Sequence, residues 1–245
     1  MLFSPTVGNR PRKRLPERPD LLLHWAPHYR DLLVQTQRGP LIANYLETLY
    51  QVMEWARQSN SRVLALRVDL RYPVEMPVAS HHATNLDLMN FLFYLSEELD
   101  HAGTTNPHDM RYVWCREQHL SDKPHYHLLL LLNGDAYKFL GKRKKEPAEF
   151  KGCDIDIPPT EGAQKDNLYQ RIERSWGRAI GWPKMKMKRL VHEAENKWTK
   201  KPYRYHFKRD DLATFAEAFY GASYLCKVHS KPFAQRIHCF DHSRS

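Results

Sequence analysis

Cysteine is scarce in this chain and scattered where it occurs. Cys115, Cys153, Cys226 and Cys239 form no C-x-x-C pair, which speaks against a zinc knuckle or a disulfide scaffold and makes a reducing cytoplasm the default setting. Long apolar runs are missing too. The longest falls far short of a membrane span, and the opening MLFSPTVGNRPRKRLPERPD has charge but no apolar h-region, so neither secretion nor membrane insertion is expected. No G-x-x-x-x-G-K-[ST] phosphate loop occurs, so strand unwinding would have to come from another protein. No repeat at a solenoid period is visible. Acidic residues are outnumbered, 28 against 38 Lys and Arg, for a formal charge of +10 and a pI near 9.4. Together with 12% aromatics, that imbalance favours a polyanionic partner, most simply nucleic acid.

What is present suits one large domain or one domain with an added segment. Residues 1–20, rich in Pro and Arg, read as a flexible basic arm, and residues 21–58 as an N-terminal helical segment. In the latter, LLLHWAPHYRDLLVQ and PLIANYLETLYQVMEWAR place apolar residues at three- and four-residue spacing, which predicts two amphipathic helices. Residues 59–245 then interleave strands and helices. SRVLALRVDLRYP, MRYVWCREQ and HYHLLLLL predict strands, the last two joined by a hairpin through SDKP. NLDLMNFLFYLSEELD, capped by Thr84 or Asn85, NLYQRIERSWGRAI and DDLATFAEAFYGASYLCKV predict helices, and KMKRLVHEAE a further strand. GKRKKEPAEFKGCDIDIPPTEG has no periodicity and reads as a loop. Its basic run, Lys142, Arg143, Lys144 and Lys145, is either a solvated surface or a phosphate-contacting one. Antiparallel strands interleaved with helices predict an α+β sandwich.

Two constellations carry chemistry. In PHYHLLLLLN, residues two apart on a strand face the same way, so His125 and His127 project together at the mouth of a leucine-rich strand while Tyr126 faces away. Glu117, on the preceding strand, sits across the proposed hairpin. Two imidazoles and a carboxylate suit a divalent cation acting on phosphate; the plainer alternative is a pair of partly buried polar residues. His81, His82, His101 and His108 lack such neighbours and read as surface residues.

The second constellation is FAEAFYGASYLCKVHSK. At about 100° per residue, Tyr220, Tyr224 and Lys227 share one stripe, opposite Phe215, Phe219, Ala222 and Cys226. A phenol ionises only near pH 10, so a neighbouring cation or metal would be needed to favour the phenolate. The alternative is a pair of rim tyrosines with Lys227 snorkelling into water.

Together, the strand RVLALRVDLRYP, the motif PHYHLLLLLN and the helix YGASYLCK resemble, in order, the motifs of the HUH endonucleases, and among them the rolling-circle replication initiators of filamentous phages and their prophage-encoded relatives. The likeness covers roughly residues 60 to 240. It implies a ferredoxin-like sandwich whose central antiparallel sheet carries the His-x-His motif, with helices on its faces. It also implies His125, His127 and Glu117 as ligands of Mg²⁺ or Mn²⁺, Tyr224 as nucleophile and Lys227 as its partner. Tyr220 completes a Y-x-x-x-Y-x-x-K pattern similar to that of two-tyrosine initiators. The implied substrate is single-stranded DNA or an origin hairpin, nicked through a 5′-phosphotyrosine intermediate, with a host helicase and polymerase as partners. A DNA-binding regulator that keeps the fold without cleaving is the alternative.

Overall fold

A computed structural model of the chain describes residues 11–118, 121–141, 166–183, 190–235 and 237–244. Within them a mixed α/β architecture forms, with antiparallel sheets and four α-helices. The first elements are short: β1 (Arg14–Leu15), β2 (Arg18–His24), β3 (His28–Tyr29), β4 (Leu32–Leu33) and β5 (Leu41–Ile42). There follow α1 (Ala43–Ser59), β6 (Arg62–Arg71), α2 (Leu86–Asp100), β7 (Arg111–Glu117), β8 (His125–Asn133) and α3 (Leu168–Ala179). The chain closes with β9 (Val191–Glu193), β10 (Arg204–Lys208), α4 (Leu212–Ser223) and β11 (Phe240–His242). No helix among the described residues is long and apolar enough to cross a membrane.

The main sheet runs in the order β10, β6, β8, β7, β11, with β9 also pairing β6, and every pairing is antiparallel. β8 is its middle strand, which explains the five leucines: a strand covered on both faces reads as one apolar run rather than as an alternation. Leu128, Leu130 and Leu132 face one way and pack with Leu64, Leu66, Val68 and Leu70 of β6 against α2 and α3. Leu129 and Leu131 face the other way, with Val63, Ala65 and Val113, against α1 and α4.

The N-terminal region departs from the sequence expectation. PLIANYLETLYQVMEWAR does give a helix, but LLLHWAPHYRDLLVQ gives β2, β3 and β4 instead. Pro27 interrupts any helical hydrogen bonding there, and Arg30 and Asp31 adopt left-handed φ values of 48° and 62° to turn β3 into β4. Residues 11–20 are not a free arm either, because β1 pairs β2 and Leu15 and Leu21 are buried with Ile42. Residues 1–10 lie outside the described ones. Side chains cap α4 and α2. Asp211 accepts from Thr214 N, whereas at α2 it is Thr84 Oγ1, not the Asn85 side chain, that accepts from Leu86 N at 3.2 Å.

Candidate active site

Register brings the site together on the α1/α4 face. In the ladder, His125 of β8 stands opposite Glu117 of β7, and His127 stands between Cys115 of β7 and Asp69 of β6. The odd-numbered positions that supply Val63, Val113 and Leu129 to the core supply Arg67, Asp69, Glu117, His125 and His127 at the strand ends. Glu117 Oε2 lies 3.5 Å from His125 Nε2 and 3.3 Å from His127 Nε2. One donor atom from each of the three residues falls within 4.8 Å of the others.

The opposite nitrogen of His127 explains how the ring is held. Nδ1 lies 2.6 Å from Asp69 Oδ1, so Nδ1–H donates to the carboxylate, and in the neutral form of the ring the lone pair is on Nε2. That Nε2 is buried and has no hydrogen-bond partner. A carboxylate behind a histidine and an orphaned nitrogen in front of it are what a metal-ligating imidazole needs, so these residues fit a divalent cation. Burial opposes a charge on His127, yet the carboxylates of Asp69 and Glu117 outweigh it and raise its pKa. Burial likewise opposes ionised Glu117, but His125, His127 and Lys231 hold its carboxyl far below the usual carboxylate range. Asp69 is lowered to about 2, with the His127 charge overcoming burial.

A second described cluster, His81, His82 and Asp87, differs in tautomer. His82 is buried rather than on the surface, and its Nδ1 accepts from Ala79 N at 3.0 Å, which leaves the proton on Nε2. No lone pair is offered there, so the cluster fits a cation poorly.

α4 delivers the tyrosines, but not as one regular stripe. The helix ends at Ser223 and tightens into a 3₁₀ turn over Tyr224–Cys226, after which Lys227 is extended. Lys227 is buried instead of reaching into water, and its Nζ lies 3.0 Å from Glu117 Oε1. Burial lowers its pKa to about 8 against the pull of Glu117. The same ammonium lies 3.6 Å from the centre of the Tyr224 ring, and the Arg67 guanidinium 4.6 Å from it. The Tyr224 ring meets the His127 ring edge-on at 5.2 Å. Burial, then the charge of Glu117, pushes the Tyr224 phenol above its ordinary value.

Tyr220 goes elsewhere. Tyr224, His127, Asp69 and Lys227 line a cavity of about 290 Å³, whereas Tyr220 lines a separate one of about 590 Å³ with Tyr205. The Tyr220 hydroxyl accepts from Gln37 Nε2 at 3.1 Å. Gly221 has a packing reason: a Cβ there would come within 2.7 Å of the Tyr203 ring. Lys142, Arg143, Lys144 and Lys145 lie outside the described residues.

Three contributors went unmarked in the sequence reading. Asp69 orients His127, Arg67 sits over Tyr224, and Ser230 Oγ donates to Glu117 Oε2 at 2.8 Å. The signal for the first two was an Arg and an Asp inside a strand apolar on both faces, where charges stay only when they are partnered.

The family model for the YagK/YfjJ C-terminal domain matches residues 28–243, which span the whole of this site. The chain belongs to the YagK/YfjJ C-terminal domain family. It is similar to the uncharacterized protein YfjJ of Escherichia coli (strain K12), 26% identical over 209 residues that cover 79% of this chain and 90% of YfjJ. It is also similar to the uncharacterized protein YagK of the same organism, 26% identical over 215 residues that cover 82% of this chain and 92% of YagK. No solved structure matches the chain. Neither the description of the YagK/YfjJ family nor the names of these relatives carries an activity, so a reading of function rests on the site itself.

Proposed function

We propose that this chain is a metal-dependent nickase and strand transferase that acts on single-stranded DNA or an origin hairpin, of the kind that initiates rolling-circle replication. The observation that carries the reading is a tyrosine ring edge-on to a histidine, 5.2 Å away, whose buried Nε2 points with Glu117 and His125 toward one place.

A finer reading of the fold as a ferredoxin-like sandwich has support from chain order. With the short β9 set aside, β6, α2, β7, β8, α3 and β10 follow one another as strand, helix, strand, strand, helix, strand, and these strands lie in the order β10, β6, β8, β7. Both of these helices pack on one face, which leaves the other to the site.

A Mg²⁺ or Mn²⁺ ion held by Glu117, His125 and His127 would polarise a phosphodiester and neutralise charge developing on its oxygens. The chain's own residues do the rest. Tyr224 Oη attacks phosphorus, the Oη–P bond forms as the P–O3′ bond breaks, and the leaving oxygen takes up a proton to become a 3′-hydroxyl. The 5′ end remains on the tyrosine. Arg67 and Lys227, both cations beside the ring, lower the cost of charge on the phenolate as its proton leaves. Burial and the hydrogen bond to Asp69 hold the His127 ring in one orientation. A host helicase and polymerase would then extend the primer.

The test is incubation of the protein with end-labelled single-stranded DNA and Mn²⁺, followed by denaturing electrophoresis. A protein–DNA band that survives denaturation, disappears with EDTA and is absent in His127→Ala is expected. A His127→Ala protein that cleaves at the wild-type rate overturns the reading.

A further inference from the structure

The hairpin between β9 and β10 carries a side chain that the histidine site does not use. Its base is anchored on β6: Arg67 N donates to Tyr203 O at 3.0 Å, Ala194 N donates to Arg67 O at 2.9 Å, and Tyr203 N donates to Ala194 O at 2.8 Å. From this base residues 195–202 project as a loop closed by pairing of Glu195 with Pro202. Asn196 braces it from within. Its Oδ1 accepts from the backbone N–H groups of Trp198 and Thr199 at 2.9 and 3.0 Å, an Asx turn, and Lys200 takes a left-handed φ of 57°. On this loop Trp198 is 74% exposed.

An indole carries the largest apolar face of any side chain, and the fold makes no use of this one. Its position is informative. Trp198 lines the Tyr224 cavity together with Lys197 and Arg38, while Thr199 and Lys201 of the same loop line the neighbouring Tyr220 cavity. The loop is therefore a braced ridge between two cavities, with a lysine on each side and an aromatic plane open to water.

We propose that Trp198 is a stacking platform for one unpaired nucleobase of the strand whose phosphate enters the Tyr224 cavity; that the ligand is a polynucleotide rests on the nickase reading above. Every base has a π-face, so a single indole accepts any of the four, and the lysines meet the phosphates on either side. A base inside a duplex has both faces covered by its neighbours. The platform thus selects single strands over duplexes, and as a positioning residue it fixes where along the strand the phosphate meets Tyr224.

Binding of a fluorescently labelled single strand and of a duplex of equal length, measured by anisotropy in EDTA so that no cleavage intervenes, tests this. Trp198→Ala is expected to weaken single-strand binding by about tenfold, the size of one base–aromatic stack, with duplex binding and the melting temperature unchanged. Trp198→Phe should retain most of the affinity. Walking one abasic nucleotide along the strand should reveal one sensitive position in the wild type and none in Trp198→Ala. Single-strand affinity unchanged in Trp198→Ala, equal losses for single strand and duplex, or no single-strand binding by the wild type would each overturn the platform. The covalent-adduct gel separates the two ideas. Trp198-dependent binding without an adduct leaves the platform standing and removes the nickase, and an adduct with Trp198-independent binding does the reverse.

Discussion

The 2.6 Å bond from His127 Nδ1 to Asp69 Oδ1 fixes the direction of the other ring nitrogen. Asp69 and His127 are cross-strand partners on β6 and β8, so the sheet itself sets that geometry. Asp69→Asn keeps the size of the side chain but removes the negative charge that holds the ring's tautomer. Mn²⁺ affinity should fall by about 10- to 100-fold, the usual cost of losing such a partner, with the far-ultraviolet circular dichroism unchanged. Titration calorimetry reads this directly, and an unaltered affinity would show that Asp69 does not orient a ligand.

The two tyrosines should separate cleanly. Tyr224→Phe preserves the ring against His127 and between its cationic neighbours but lacks the nucleophilic oxygen, so the covalent adduct should be lost. Tyr220 lines the other cavity, and Tyr220→Phe should leave the first nick intact while affecting strand transfer only. Mass spectrometry of the adducted peptide decides between them: modification confined to position 220 reverses the assignment.

Lys227 and Glu117 form an ion pair with both side chains almost fully buried. Removing one partner leaves a charge in a poor solvent, so Lys227→Ala should lower unfolding stability by about 3 kcal/mol in urea. Saturating Mn²⁺ should restore part of the loss, because a bound cation compensates Glu117 in place of the ammonium. A variant as stable as the wild type without metal would mean that Glu117 does not need the ammonium beside it.

A pH-dependent contribution lies on the far side of the sheet. Glu98 of α2 meets Arg174 and Arg171 of α3 at 2.6 and 3.3 Å, and the Arg174 hydrogen bond lowers its pKa against burial. A depressed folded value means that the pair's stabilisation is complete above the ordinary carboxyl value of 4.5 and fades as pH falls through the folded value. Glu98→Gln should therefore be less stable than wild type at neutral pH, and the two urea midpoints should converge as pH falls through the folded value. Parallel midpoints over that range would assign the pair no role.

What could be read from the residues followed from strong local patterns. The leucine run of β8 and the pairing of Glu117 with the histidines needed only period two and a hairpin. α1 through α4 showed 3.6-residue spacing, and a capping side chain stands at the start of α2 and of α4. The short strands β2 to β4 were hidden because a few apolar residues at three- and four-residue spacing look helical until Pro27 and two left-handed residues are given their weight. The role of Asp69 was hidden for a different reason: a charge inside an apolar strand calls for a partner, but that partner is 58 residues away, and nothing in one strand announces the register of another. The burial of Lys227 depends on α4 ending early. There Gln35 N donates to Ser223 Oγ and Gln35 Nε2 to the Tyr220 carbonyl, contacts made between residues 188 and 185 positions apart.

The order of the strands in the main sheet also sets a timetable. Asp69 is made early and Lys227 late, with about 160 residues between them, which at ribosomal speeds of about 5–20 residues per second is roughly 8 to 30 s of synthesis. Through most of that interval β6 lacks β10 and β7 lacks β11, and to its end Glu117 has neither Lys227 nor Ser230 beside it. A nascent chain can thus present the histidines long before it can present the tyrosine. On the nickase reading proposed above, such a protein is born inert, and any act on DNA waits until translation has nearly finished.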